Sequence, residues 1–136
     1  MLQRLNNPHL EFPSIHVAGT IGKGSLCVQL SATACANNLK VGLFTSPHLI
    51  TIEERIRING VPISPVDFDK FLNIIRDASL ISPVCNPTFF EVTFLLAMLA
   101  FRENEIDRAI IETGLGGATR FDSFSRCRSL CNHYNL

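Results

Sequence analysis

The heptapeptide Gly19-Thr20-Ile21-Gly22-Lys23-Gly24-Ser25 constrains this chain more than any other feature. It separates a short β-rich run, Ser14-Ile15-His16-Val17-Ala18, from a proline-free, helix-favouring stretch that runs to about Asn37. Glycines let backbone N–H groups turn inward and approach an anion closely, and a helix start adds unsatisfied donors and a positive dipole end. Lys23 adds a mobile cation for terminal phosphates. Strand, glycine-rich loop and helix together form the context that a phosphate cradle needs. Gly19, Thr20, Gly22, Lys23, Gly24 and Ser25 are therefore candidate ligands of a nucleotide, with Lys23 a candidate catalytic group. The spacing departs from the common G-x-x-x-x-G-K-[ST] loop, because Val17 stands where the first glycine would be and Gly24 where Ser or Thr would be. The plain alternative is a glycine-rich turn with no ligand.

Beyond this loop, Lys40-Val41-Gly42-Leu43-Phe44-Thr45 reads as a second strand stopped by Ser46-Pro47, which completes a β-α-β unit with parallel strands. Arg55-Ile56-Arg57-Ile58 alternates and meets the turn signal Asn59-Gly60, so a small hairpin is expected there. Ser64, Pro65 and Asp67 form a helix start, and Phe68, Phe71, Leu72 and Ile75 recur on one helical face. Leu80 to Pro87 reads as a loop. Thr88 opens a helix to about Glu103, and Asp107 to Glu112 is a third strand. These elements predict an α/β, three-layer fold with a mostly parallel sheet. Residues 1–122 read as one partial nucleotide-binding domain. From Ser123 to Leu136 the composition shifts and periodicity is lost, which marks an atypical tail.

Charge and cysteine content narrow the function. Twelve basic and twelve acidic residues give a formal net charge of zero, against a broad nucleic-acid footprint. The apolar run Phe94–Phe101 falls far short of the ~20 residues of a bilayer span, and the first residues carry no apolar signal region. No membrane, nucleic-acid or protein partner is expected. The five cysteines are odd in number and irregularly spaced, so reduced thiols in a cytoplasmic chain are expected rather than a disulfide framework. Cys127, Cys131 and His133 fall one ligand short of a structural zinc site.

In an open parallel sheet, ligands gather beyond the C-terminal strand ends. A carboxylate and a hydroxyl beside bound phosphates suit Mg²⁺, which takes few protein oxygens and keeps waters. Glu112 is the leading metal-ligand candidate, the alternative being a solvated strand-end charge. Thr88-Phe89-Phe90-Glu91 fits a T-x-x-E capping box, a role compatible with ligand binding. Phe89 and Phe90 are core residues or flank a flat ligand ring. His48 reads as a solvated loop histidine and His16 as a satisfied core residue.

Five ordered segments together resemble a known family. Ile15-His16-Val17-Ala18-Gly19-Thr20-Ile21-Gly22-Lys23-Gly24-Ser25 is similar to the phosphate loop of the folylpolyglutamate and dihydrofolate synthases, Mur-ligase-like amide ligases. Val41 to Leu49 resembles a second signature, and Glu54 to Gly60 with Pro62-Ile63 the loop that follows it. Thr88-Phe89-Phe90-Glu91 and Glu112-Thr113-Gly114-Leu115-Gly116-Gly117 resemble two more. The resemblance implies a Mur-ligase central-domain fold with ATP and Mg²⁺ as cofactors. ATP would activate a carboxylate of dihydropteroate or a folate as an acyl phosphate, and L-glutamate would attack it to form an amide. It implies Ser46 and Glu112 as metal ligands, with Glu112 also catalytic. Thr88, Phe89, Phe90, Glu91, Gly116, Gly117, Arg120 and Asp122 would bind the substrate.

The chain departs from the family pattern at Ile21, where the family has Asn, and after Gly117, where Ala118-Thr119 intervene before Arg120-Phe121-Asp122. It also resembles only the N-terminal part of such enzymes. A truncated copy with little ligase activity of its own, marginal stability and a tendency to associate is expected, with a nucleotide-binding remnant or another phosphate-loop NTPase as alternatives.

Overall fold

The structure, a computed structural model, describes residues 1–114. Gly116, Gly117, Arg120, Asp122, Cys127, Cys131, His133 and the tail from Ser123 lie outside the described residues, as does the expected domain boundary at 122.

Five strands form one mixed sheet: β1 (Ser14–Val17), β2 (Val41–Phe44), β3 (Ile56–Ile58), β4 (Val61–Pro62) and β5 (Arg108–Glu112). Their spatial order is β1-β5-β2-β3-β4. β5 pairs in parallel with both β1 and β2, whereas β3 and β4 extend the sheet as an antiparallel hairpin. The β-α-β return from β1 to β2 therefore skips a place, and the last strand in sequence fills it. The hairpin turns at Asn59 (φ 49°) and Gly60 (φ 81°), two successive left-handed residues of the kind its tight turn requires.

Helix α1 (Lys23–Ala36) covers one face of the sheet, and α2 (Pro65–Leu80) and α3 (Phe89–Glu103) lie on the other. The small α1 side buries Val17, Cys27, Val41, Leu43 and Ile110. The larger core joins Phe44 and Ile56 to α3, α2 and the N-terminal segment. Every residue from Thr93 to Phe101 is buried, because α3 is sandwiched between the sheet and α2. On α2 the apolar face is narrower than the sequence pattern implies: Phe68, Phe71 and Ile75 are buried, but Leu72 keeps 38% of its surface exposed.

Two 3-10 turns, Leu2–Leu5 and Pro8–Leu10, precede the sheet and had no sequence signal. The first carries Arg4, whose guanidinium donates to the carbonyls of Ala78 (3.0 Å) and Ile81 (2.9 Å). That contact satisfies carbonyls at the α2 C-terminus that lack intrahelical donors. At the sheet centre, Gly42 lets Phe101 close on β2: a Cβ there would lie 2.5 Å from Phe101 Cδ1.

Candidate functional site

The site forms where three strand ends meet. After β1, Gly19 (φ 151°) and Gly22 (φ 77°) adopt backbone conformations that side chains disfavour, which turns the chain sharply into α1. Gly22 is the N-cap, so the N–H groups of the first turn of α1 have no intrahelical acceptor. Ile21 is 93% exposed, so its apolar side chain stands in water at the outer rim of the loop.

Lys23, the first residue of α1, folds back rather than reaching into bulk solvent: its side chain is 14% exposed and Nζ lies 4.0 Å from Glu112 Oε1. Glu112 ends β5 and is buried, and its Oε2 accepts the backbone N–H of Ser46 at 3.0 Å. Thr113 pins this strand end to β1, since its N–H and its hydroxyl both donate to the Val17 carbonyl, at 3.0 and 3.1 Å. Gly24 faces the same carboxylate, and a Cβ there would lie 3.7 Å from Glu112 Oε2. Thus the insertion of β5 between β1 and β2 brings Lys23, Gly24, Ser46 and Glu112 to one point. The carboxylate's field reaches into α1. Burial, reinforced by Glu112 and opposed by Lys23, pushes the Cys27 thiol up to about 12.

The oxygen donor at this point is the buried Glu112 carboxylate, which Ser46 meets through its backbone N–H. Among the described residues no cluster of three or more His, Cys, Asp or Glu forms a closed metal cage. A carboxylate beside a phosphate loop suits Mg²⁺, which completes its shell with waters and phosphate oxygens.

The loop after β2 is held by its own acid. Glu54 accepts the N–H groups of Leu49 (3.1 Å), Ile50 (3.2 Å) and Thr51 (3.1 Å). These bonds, led by the one from Leu49, hold its carboxyl below the usual range. His48 is not merely solvated: Nδ1 accepts the Arg55 Nε–H at 2.9 Å. His16 lies 3.1 Å from the Ser14 hydroxyl, and burial lowers its pKa. Arg55 itself is buried, which nothing in its local pattern signalled.

At the start of α3, the capping box forms as expected: the Thr88 N–H donates to Glu91 Oε2 at 2.7 Å, and the Glu91 N–H to the Thr88 hydroxyl at 3.4 Å. The two phenylalanines separate. Phe90 is half-buried and packs edge-on against Phe44 at 5.8 Å between centroids, with Gly114 leaving room for its ring. Phe89 is 57% exposed and lies under the Arg55 guanidinium, 5.1 Å from its centroid.

No protein-family model matches the chain. Human mitochondrial folylpolyglutamate synthase is 42% identical to it over 129 residues, covering 90% of this chain and 22% of that protein. The solved folylpolyglutamate synthase of Thermotoga maritima superposes with a TM-score of 0.81 at 40% identity, over 85% of this chain and 28% of that one. The bifunctional folylpolyglutamate/dihydrofolate synthase of Yersinia pestis, in complex with AMPPNP and a manganese ion, gives 0.78 at 35% identity, over 85% of this chain and 28% of its own. Over 85–90% of its length the chain matches the N-terminal part of folylpolyglutamate and dihydrofolate synthases. It spans only about a quarter of the length of these relatives. Its sheet, loop and helices are those of the family's N-terminal part.

Proposed function

We propose that this protein contributes a nucleotide- and metal-binding part of an ATP-dependent ligase that joins L-glutamate to dihydropteroate or to a folate. The meeting of Lys23, Ser46 and Glu112 at the C-terminal edge of the sheet carries the reading. In it, the amides of Gly22 to Ser25 and the Lys23 ammonium receive the β- and γ-phosphates. ATP supplies the phosphoryl group that activates the carboxylate, with Mg²⁺ spreading the charge of the transferring group when bound. Glu112 and Ser46 would hold the metal beside the phosphate loop. The catalytic contribution of these residues is positioning and charge neutralisation. Lys23 rests 4.0 Å from Glu112 and would be free to turn toward the phosphates if a cation took its place at the carboxylate.

The acceptor lies along Thr88, Phe89, Phe90 and Glu91, with Gly116, Gly117, Arg120 and Asp122 as its further contacts. A reducing cytoplasmic compartment suits the free thiols Cys27, Cys35 and Cys85. No helix among the described residues is long and apolar enough to cross a membrane.

Calorimetry with Mg-ATP tests the reading. The protein is expected to bind, and Lys23→Ala to weaken binding at least tenfold. No heat from either form rules out nucleotide binding, and equal heat from both rules out the role given to Lys23.

A further inference from the structure

Arg55 is the one Lys or Arg that is buried among the described residues, at 8% exposure. Its Nε–H goes to His48 Nδ1, and its terminal nitrogens make no hydrogen bond or ion pair there. The neighbouring acid, Glu54, is committed to the amides of Leu49, Ile50 and Thr51. Neither terminal nitrogen is among the sealed, unpartnered side-chain atoms of the described residues, so the end of the guanidinium is open to solvent and to a ligand. A guanidinium with its fork free is a ready receiver for a carboxylate, which it binds bidentately.

The position of this cation narrows the ligand. Through His48 it is tied to the loop that begins at Ser46, whose N–H holds Glu112. Through Phe89 it touches the start of α3. One ring face of Phe89 carries the guanidinium, and the residue is still 57% exposed. An exposed phenyl ring beside a carboxylate receiver matches a ligand with both an aromatic ring and an acid group. His48 holds the Nε edge of the guanidinium through its Nδ1, which leaves the end-on pair of terminal nitrogens for a ligand.

We infer that Arg55 binds the carboxylate of the aromatic acid substrate, with His48 as its positioning residue and Phe89 as the stacking surface. The identity of the acid rests on the ligase reading above; the anion-receiving role does not.

The test uses the 136-residue protein labelled with ¹⁵N, the Arg55 Nε–Hε resonance, and two probes: dihydropteroate and its neutral carboxamide. Dihydropteroate is expected to shift that resonance and to bind at least tenfold more tightly than the carboxamide. Arg55→Lys is expected to abolish this preference, and His48→Phe to reduce it. Equal binding of acid and amide by the unaltered protein overturns the inference, as does an unmoved Arg55 resonance at saturating acid. A shift caused by Mg-ATP but not by dihydropteroate also overturns it, by giving the guanidinium to the nucleotide. Because these readouts come from the unaltered protein, misfolding of a variant does not obscure them. Mg-ATP binding that depends on Lys23 would persist if only the Arg55 assignment failed.

Discussion

Gly42→Ala places one methyl group where the sheet and α3 have no room for it. The new Cβ would lie 2.5 Å from Phe101 Cδ1, 2.7 Å from Phe101 Cε1 and 2.8 Å from Ile106 Cδ1. Phe101 is fully buried and also packs edge-on against Phe12 at 5.9 Å, so its ring has no free direction to swing. Overpacking of this kind costs about 1–3 kcal/mol. Replacing a strand glycine with alanine returns about 0.5–1 kcal/mol of backbone entropy. At the centre of these ranges the net is a loss of about 1.3 kcal/mol, which lowers the urea midpoint by roughly 0.6 M at a typical slope of about 2 kcal/mol/M. Phe101→Leu alone is expected to cost about 1–2 kcal/mol as a large-to-small core change. The double variant should be more stable than the sum of the singles by about 0.5–1.5 kcal/mol, since the smaller side chain makes room for the methyl. Urea unfolding followed by circular dichroism measures all four proteins. A midpoint for Gly42→Ala at or above the unaltered protein's, or strict additivity in the double variant, refutes the close packing of Phe101 on β2.

Three further outcomes are expected. In the native protein at pH 8, Cys27 should resist alkylation while Cys35 and Cys85 react, because its thiol is pushed up to about 12; mass-spectrometric mapping of iodoacetamide adducts reads this directly. Stability should fall as pH drops below 6.5: burial lowers the His16 pKa, so the unfolded chain takes up a proton that the folded one refuses. Denaturation midpoints from pH 7.5 to 5 should show that slope, and His16→Gln should flatten it. Thr88→Val removes the α3 cap and should cost about 1 kcal/mol in the same unfolding assay; no change would mean that the helix start is held by something other than Thr88 and Glu91.

Much of this architecture was legible in local pattern. Ser64 with Pro65 and Thr88 with Glu91 marked two helix starts because caps are short-range chemistry. Asn59-Gly60 marked the hairpin for the same reason. The placement of β5 was not legible, since no local rule tells a late strand to enter between two earlier ones; yet that insertion alone sets Glu112 between the phosphate loop and Ser46. Arg55 was hidden by its own type. An arginine in an alternating hairpin reads as a solvated partner of its neighbours, and only tertiary packing under Phe89 and His48 buries it. Leu72 errs the other way: the α2 stripe implied burial, but α2 touches α3 along a narrower line. Ile21 departs from the family pattern at little structural cost because its side chain points to water.

Lys23, Ser46 and Glu112 meet at one point, where they would bring a phosphate loop and a divalent cation together. Paramagnetic broadening by Mn²⁺ in the presence of ATP tests it most directly. The backbone amides of Gly24, Ser25, Ser46 and Glu112 are predicted to broaden first, and Glu112→Ala to abolish the effect. Broadening centred on α2 or the Asn59-Gly60 turn, or broadening undiminished in Glu112→Ala, would contradict it.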